Sequence, residues 1–203
     1  MNEWDLQKEI SKKFRYNDFC FQNSQFKLVC WELMFPSWRI NDKNRKWNET
    51  SIDFIFYSEE INTFLCVELK NNIKSKKKLI SAFCQTTDRA IKFLKEYSTS
   101  KIEKAYSECK KFASIERGGQ QETFTFSFHE TPNLKRVLIA NSFPINYKSY
   151  IKMLNKFSQE EIINLISQYA ENKEFKRFKM IDKVDYDKHI KLDLLTETTK
   201  NLT

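Results

Sequence analysis

Asp53 and the triplet Glu68-Leu69-Lys70 are the residues of this chain whose types and spacing best suit chemistry. Asp53 lies inside the apolar run 51–57, and the triplet closes a second apolar run, 64–70. Carboxylates embedded in apolar strands are costly unless they have a partner or a task. Two of them with an ammonium, on adjacent strands, suit the task of holding a divalent cation against a phosphate. A hard cation such as Mg2+ or Mn2+ takes oxygen ligands and keeps several waters. Asp53, Glu68 and the backbone carbonyl of Leu69 would therefore suffice as its protein ligands. Side chains two apart on a strand share a face, so Glu68 and Lys70 point together while Leu69 points into the core. Lys70 is then placed to orient an attacking water and to offset charge on the reacting phosphate. The chemistry this implies is phosphodiester hydrolysis, with positioning and electrostatics supplying most of the rate.

Those residues need a sheet to carry them. Trp4, Leu6, Ile10 and Phe14 recur at near-helical spacing and predict a first helix over residues 3–14. Residues 26–35 read as a strand ending at Pro36, and 39–50 as a polar, basic loop. The short connector Ser58-Glu59-Glu60-Ile61-Asn62 predicts an antiparallel hairpin between the strands of Asp53 and Glu68. A basic loop, 71–78, leads to a helix over 79–97 whose apolar stripe includes Leu79, Ile80, Phe83, Ala90, Ile91, Leu94 and Tyr97. Residues 101–115 are compatible with a helix before Gly118-Gly119, the only glycines in the chain. Residues 123–129 alternate Phe with Thr and Ser as a half-buried strand does, and 136–141 read as a central strand. Ser158 and Glu161 fit a capping box ahead of Ile162. The tail from Lys188 is polar and expected to fray.

The pattern Asp53, fourteen intervening residues, then Glu68-Leu69-Lys70 resembles the PD-(D/E)xK nuclease superfamily, which includes restriction endonucleases, Holliday-junction resolvases and repair exonucleases. The resemblance covers about residues 53–97. It implies an α/β restriction-endonuclease-like core with a central mixed β-sheet flanked by helices, and extra C-terminal helices. It implies metal ligation by Asp53 and Glu68 and a catalytic role for Lys70. Several branches also place a glutamine on the following helix, where this chain has Gln85. Arg89 stands where the recombination-nuclease branch has tyrosine, and Ile52 replaces the proline of the signature. On the expected apolar stripe Gln85 falls well away from its centre, so either the helix flank meets the site or Gln85 is solvated. Members often recruit one more acid from the first helix or strand, for which Glu9 and Glu32 both qualify.

The expected organisation is a nuclease-like core over residues 1–145, with a polar insertion near 98–123, and a helical extension over 146–203 packed on the same domain. A formal net charge of +8 over 203 residues favours a polyanionic partner. The excess of Lys, Asn, Ile and Phe beside two glycines is also the bias of an AT-rich coding sequence, which weakens that inference. More specific is where the bases fall. Lys74, Lys76, Lys77 and Lys78 directly follow the Glu68 strand, and Arg39, Arg45 and Lys46 interleave with Trp38 and Trp47. Both groups suit contact with DNA. Cys20, Cys30, Cys66, Cys84 and Cys109 form no C-x-x-C pair and read as reduced structural thiols. His129 and His189 have no partner pattern. There is no phosphate-binding glycine loop and hence no expected nucleotide cofactor. No run is apolar enough for a membrane span, and the opening residues lack a secretory pattern, so the expected location is cytoplasmic. The sequence thus points to a Mg2+- or Mn2+-dependent endodeoxyribonuclease of restriction, phage defence or a mobile element, acting as a homodimer or beside partner subunits. The competing expectation is a non-catalytic nucleic-acid-binding or assembly subunit that keeps the fold.

Overall fold

The computed structural model describes residues 3–35, 37–40, 50–116, 125–171 and 194–198. Along the chain run α1 (Glu3–Phe14), β1 (Phe19–Phe21), β2 (Ser24–Phe35), β3 (Arg39–Ile40), β4 (Thr50–Ser58), β5 (Thr63–Asn72), α2 (Lys76–Glu96), α3 (Thr99–Glu116), β6 (Asn133–Ser142), α4 (Tyr147–Leu154), α5 (Gln159–Glu171) and β7 (Leu194–Thr198). The strands form a mixed sheet in the order β1-β2-β4-β5-β6-β7, with β3 added to β2. The chain is therefore α/β, as its pattern of elements predicts. It divides into two compact units, one of Met1–Val67 with Tyr97–Leu134, the other of Glu68–Glu96 with Lys135–Thr203.

In the first unit α1 buries Leu6, Ile10 and Phe14 along one stripe, with Glu3 and Asp5 at its start and Lys12 and Lys13 at its end, matching the helix dipole. The hairpin β1–β2 turns through Gln22 and Asn23, both at positive φ, the geometry whose twist suits a two-residue loop. The expected antiparallel hairpin of β4 and β5 forms, with Ile55 opposite Cys66 and Phe56 opposite Leu65. Phe14, Phe19 and Phe56 meet edge-on or tilted beneath α1. Helix α3 packs on β2 and β3 and buries Ile102, Ala105 and Cys109. Arg39 belongs to β3 rather than to a loop, and Trp38 is buried edge-to-face against Phe35 rather than displayed.

Residues 125–129 do not form the expected strand. The alternation is real, since Phe126 and Phe128 turn inward against Tyr57 and Tyr106. Their backbone, however, is held by side chains: Glu59 accepts from the Ser127 amide, and the Tyr57 hydroxyl reaches the Ser127 carbonyl. Ring packing alone thus produced a period of two without a ladder.

In the second unit the expected basic loop is shorter than its sequence suggests. β5 continues to Asn72 and α2 begins at Lys76, so Lys76, Lys77 and Lys78 form the first helical turn, capped by Ser75. Ile73 is buried and donates its amide to Ser142, and Asn71 accepts from Asn141, tying the end of β5 to β6. α2 is enclosed on most of its circumference, because Cys84 and Asp88 are buried as well as Leu79, Phe83 and Ala90. Thr86 and Thr87 enter the interior at low cost, their hydroxyls bonded to the carbonyls of Ala82 and Phe83. The capping box forms in both directions, with Ser158 N to Glu161 Oε2 at 2.7 Å and Glu161 N to Ser158 Oγ at 3.2 Å. The extension after 146 is not wholly helical. β7 pairs in parallel with β6, Arg136 opposite Leu194, where the sequence suggested a fraying tail.

Candidate active site

Glu68 is 1% exposed on β5, and its neighbour Leu69 is fully buried. Strand alternation sends Lys70 to the same face as Glu68, and its Nζ lies 2.6 Å from Glu68 Oε1. From α2 comes Arg89, whose guanidinium rests against Glu68 Oε2. Gln85, one helical turn before Arg89, closes the group. With its amide oriented to satisfy both neighbours, it donates to Glu68 Oε1 at 3.2 Å and accepts from Arg89 Nη2 at 2.8 Å. Of the two alternatives for Gln85, the structure has the helix flank meeting the site. This follows from the enclosure of α2, which leaves positions 85 and 89 half-buried rather than solvated.

Electrostatically the group is a buried anion with two cations and one amide. Taking Glu68 out of water is costly, and Lys70 and Arg89, with side chains 24% and 13% exposed, offset that cost. Such an arrangement fixes the carboxylate between the strand and the helix. Arg89 was legible only as a departure from a family pattern. The sign that was available is its i+4 spacing from Gln85, which puts both on one helix face.

Asp53 is half-buried on β4 in the first unit. The ladder pairs Trp31 with Phe54 and Leu33 with Ile52, which sets Glu32 opposite Asp53 in register. Glu32 holds φ at 47°, a left-handed conformation that a non-glycine residue adopts only when its surroundings impose it. Gln7 of α1 donates to Glu32 Oε1 at 3.1 Å. Glu9, by contrast, is exposed on the side of α1 away from Leu6 and Ile10. Of the two upstream acids, Glu32 is the one held by the fold.

A hard divalent cation takes carboxylate oxygens as ligands. Asp53, Glu32 and Glu68 are donors of the kind Mg2+ or Mn2+ takes. Among the described residues no group of three or more His, Cys, Asp or Glu side chains is gathered to hold a metal.

Lys74, Lys76, Lys77 and Lys78 are exposed, and Arg39 is half-buried beside Ser37. Arg45, Lys46 and His189 lie outside the described residues. His129 is exposed, and its carbonyl accepts from the Tyr97 hydroxyl. All five cysteines are free thiols, and only Cys20 is exposed. Among the described residues no helix is long and apolar enough to cross a membrane.

A second buried charge group went unread in the sequence. Arg136 on β6 is 1% exposed, stacks on the Phe83 ring at 4.9 Å and donates to Thr87 Oγ1. On α2 the buried Asp88 meets Lys92 at 2.6 Å. Burial raises the Asp88 carboxyl above its ordinary value despite that ammonium.

Comparison of the chain with protein-family models, with curated proteins and with solved structures returns no match.

Proposed function

We propose that this chain is a metal-dependent nuclease with a restriction-endonuclease-like core that hydrolyses DNA phosphodiester bonds, most simply as an endonuclease. One observation carries the reading: a buried carboxylate, Glu68, has Lys70 beside it on the strand and receives Gln85 from the helix that follows. That is the arrangement expected of the sequence pattern Glu-x-Lys followed by glutamine. In this reading Asp53, Glu68 and the Leu69 carbonyl are the cation's protein ligands, and Glu32 is the additional upstream acid. When bound, Mg2+ or Mn2+ supplies an activated water and Lewis acidity towards the phosphate. Lys70 orients the water and offsets charge on the reacting phosphate, while Gln85 holds the Glu68 carboxylate from the helix side. The exposed lysines from Lys74 to Lys78 hold the backbone of the substrate. Restriction, phage defence or a mobile element is the setting that fits such an activity, with a second copy or a partner subunit supplying target recognition.

The position of Arg89 favours one second reading. A guanidinium against Glu68 neutralises the charge that a cation would otherwise claim. A chain using that pair permanently would bind nucleic acid without cutting it.

Incubating purified protein with supercoiled plasmid and with single-stranded DNA, with and without Mg2+ or Mn2+, separates the two. Metal-dependent cleavage that is lost in Glu68→Gln and Lys70→Met supports the nuclease. Binding without cleavage under every metal condition supports the second reading.

A further inference from the structure

The second unit exposes an unusual corner. Among the described residues the large hydrophobic side chains that stand exposed are Ile145, at 89%, and Met153, at 38%. Both belong to the turn and helix that follow β6. Scattered single apolar side chains are ordinary on a surface, but one as fully exposed as Ile145, between two stacked aromatic residues in sequence, is less so. The Phe143 and Tyr147 rings stack at 4.5 Å with an interplanar angle of 18°, directly under the turn that carries Ile145.

That turn is built to hold its shape. Pro144 fixes one backbone angle, Asn146 sits in the left-handed region at φ 63°, and the Tyr147 amide returns to the Pro144 carbonyl at 3.1 Å. Ile145 is thus presented on a stiff tip, where insertion into a partner sacrifices little conformational freedom.

The charged residues of α4 and of the first turn of α2 are all basic. Lys148, Lys152 and Lys156 are exposed on and just after α4, and Lys76, Lys77 and Lys78 on the first turn of α2. The two elements pack together, with Lys76 Nζ 5.1 Å from the centre of the Tyr150 ring. Neither residues 71–79 nor residues 143–157 contain an Asp or Glu, although the chain has 27 acidic residues. The next acids along the chain are Glu160 and Glu161, in the first turn of α5.

From this juxtaposition we propose that the Pro144-Ile145 turn is a wedge that enters duplex DNA between base pairs, while the lysines of α2 and α4 hold the flanking phosphates. Apolar side chains inserted at a base step unstack it and kink the duplex, and basic neighbours supply the affinity that makes the distortion tolerable. The inference rests on the proposed function only for its choice of DNA as substrate. It adds a binding surface and a mode of distortion to that reading.

The test is a titration of protein into a short duplex carrying 2-aminopurine, in EDTA so that cleavage cannot contribute. The parent protein is expected to raise the fluorescence of the unstacked base. Ile145→Ser is expected to abolish that rise and weaken binding about tenfold, the worth of one buried aliphatic side chain, while keeping the salt dependence. The double variant Lys148→Gln/Lys152→Gln is expected to flatten the plot of log affinity against log salt by up to about 0.9 per lysine. Because Ile145 is exposed, its replacement leaves the fold intact, which a thermal melt checks. The wedge is overturned if Ile145→Ser matches the parent in fluorescence and affinity. It is also overturned if the protein prefers single-stranded DNA, or vesicles of phosphatidylserine and phosphatidylcholine, over the duplex. A silent fluorophore beside intact metal-dependent cleavage removes the wedge and leaves the nuclease reading standing.

Discussion

Lys70 carries its ammonium 2.6 Å from the Glu68 carboxylate, two residues away on the same strand. The pair depends on the strand rather than on a flexible loop, so its geometry is set before any substrate arrives. If it serves hydrolysis, Lys70→Met lowers the cleavage rate about a hundredfold or more, as loss of a transition-state charge donor does, with little change in DNA affinity. Gel analysis of plasmid products at matched protein concentration checks this.

Glu68 is a harder residue to remove cleanly. Glu68→Ala leaves Arg89 beside an empty position with its charge largely buried, and about 3–5 kcal/mol of stability is expected to go with it. Glu68→Gln keeps the shape and hydrogen-bonding capacity, so it is the better probe of chemistry. Urea unfolding of the two variants is expected to separate them clearly. Similar stabilities would mean that the Arg89 contact is unimportant to the fold.

Arg89 is expected to compete with any cation that uses Glu68. In Arg89→Gln the carboxylate keeps Lys70 and Gln85 but loses one of its two cationic partners. Mn2+ titrated calorimetrically into this variant should bind several times more tightly than to the parent, and the variant should be less stable without metal. Unchanged Mn2+ binding would indicate that Glu68 takes no part in metal ligation.

Asp88 gives the fold a predictable response to pH. Burial raises its carboxyl above the ordinary value of 3.8, and Lys92 only partly restores it. The folded state therefore holds this proton more tightly than the unfolded chain. Its contribution is most favourable below the ordinary value and declines as pH rises from there through the raised folded value. Asp88→Asn is expected to remove that decline, matching the parent in strongly acidic buffer and exceeding it at neutral pH. Denaturant midpoints across that range provide the check.

The thiols should divide sharply. Burial pushes the Cys84 thiol up to about 12 and those of Cys30, Cys66 and Cys109 up as well, so none of the four is a ready nucleophile. Native protein treated with iodoacetamide is expected to be modified at Cys20 alone, and at all five positions in denaturant, as read by mass spectrometry.

How far the sequence foretold this fold depends on whether a feature is local. Helix α1 was legible to the residue because Leu6, Ile10 and Phe14 state both its period and its buried side. The β4–β5 hairpin was legible because its connector is short and its strands are apolar throughout. Gln85 was ambiguous for a physical reason: a wheel drawn from apolar residues assumes a solvated face, and α2 has little of one. The buried Thr86, Thr87 and Asp88 carry no hydrophobic mark. β7 escaped notice because its partner, β6, is more than fifty residues earlier and nothing local identifies a parallel neighbour. Glu32 and Asp53 could each be named from sequence, but their opposition depends on a register that includes an irregularity between Leu28 and Cys30.

Leu69 gives the candidate site a safeguard that none of its polar members provides. Wholly enclosed between Glu68 and Lys70, it is the keel of that stretch of β5. Sliding the strand by a single residue would set this leucine against the polar groups of Lys70, Gln85 and Arg89 and drive both of its charged neighbours into hydrocarbon. The direction in which the acid and the amine project is thus guarded by the same hydrophobic penalty that keeps the protein folded. Variation elsewhere on the surface can proceed without disturbing their aim.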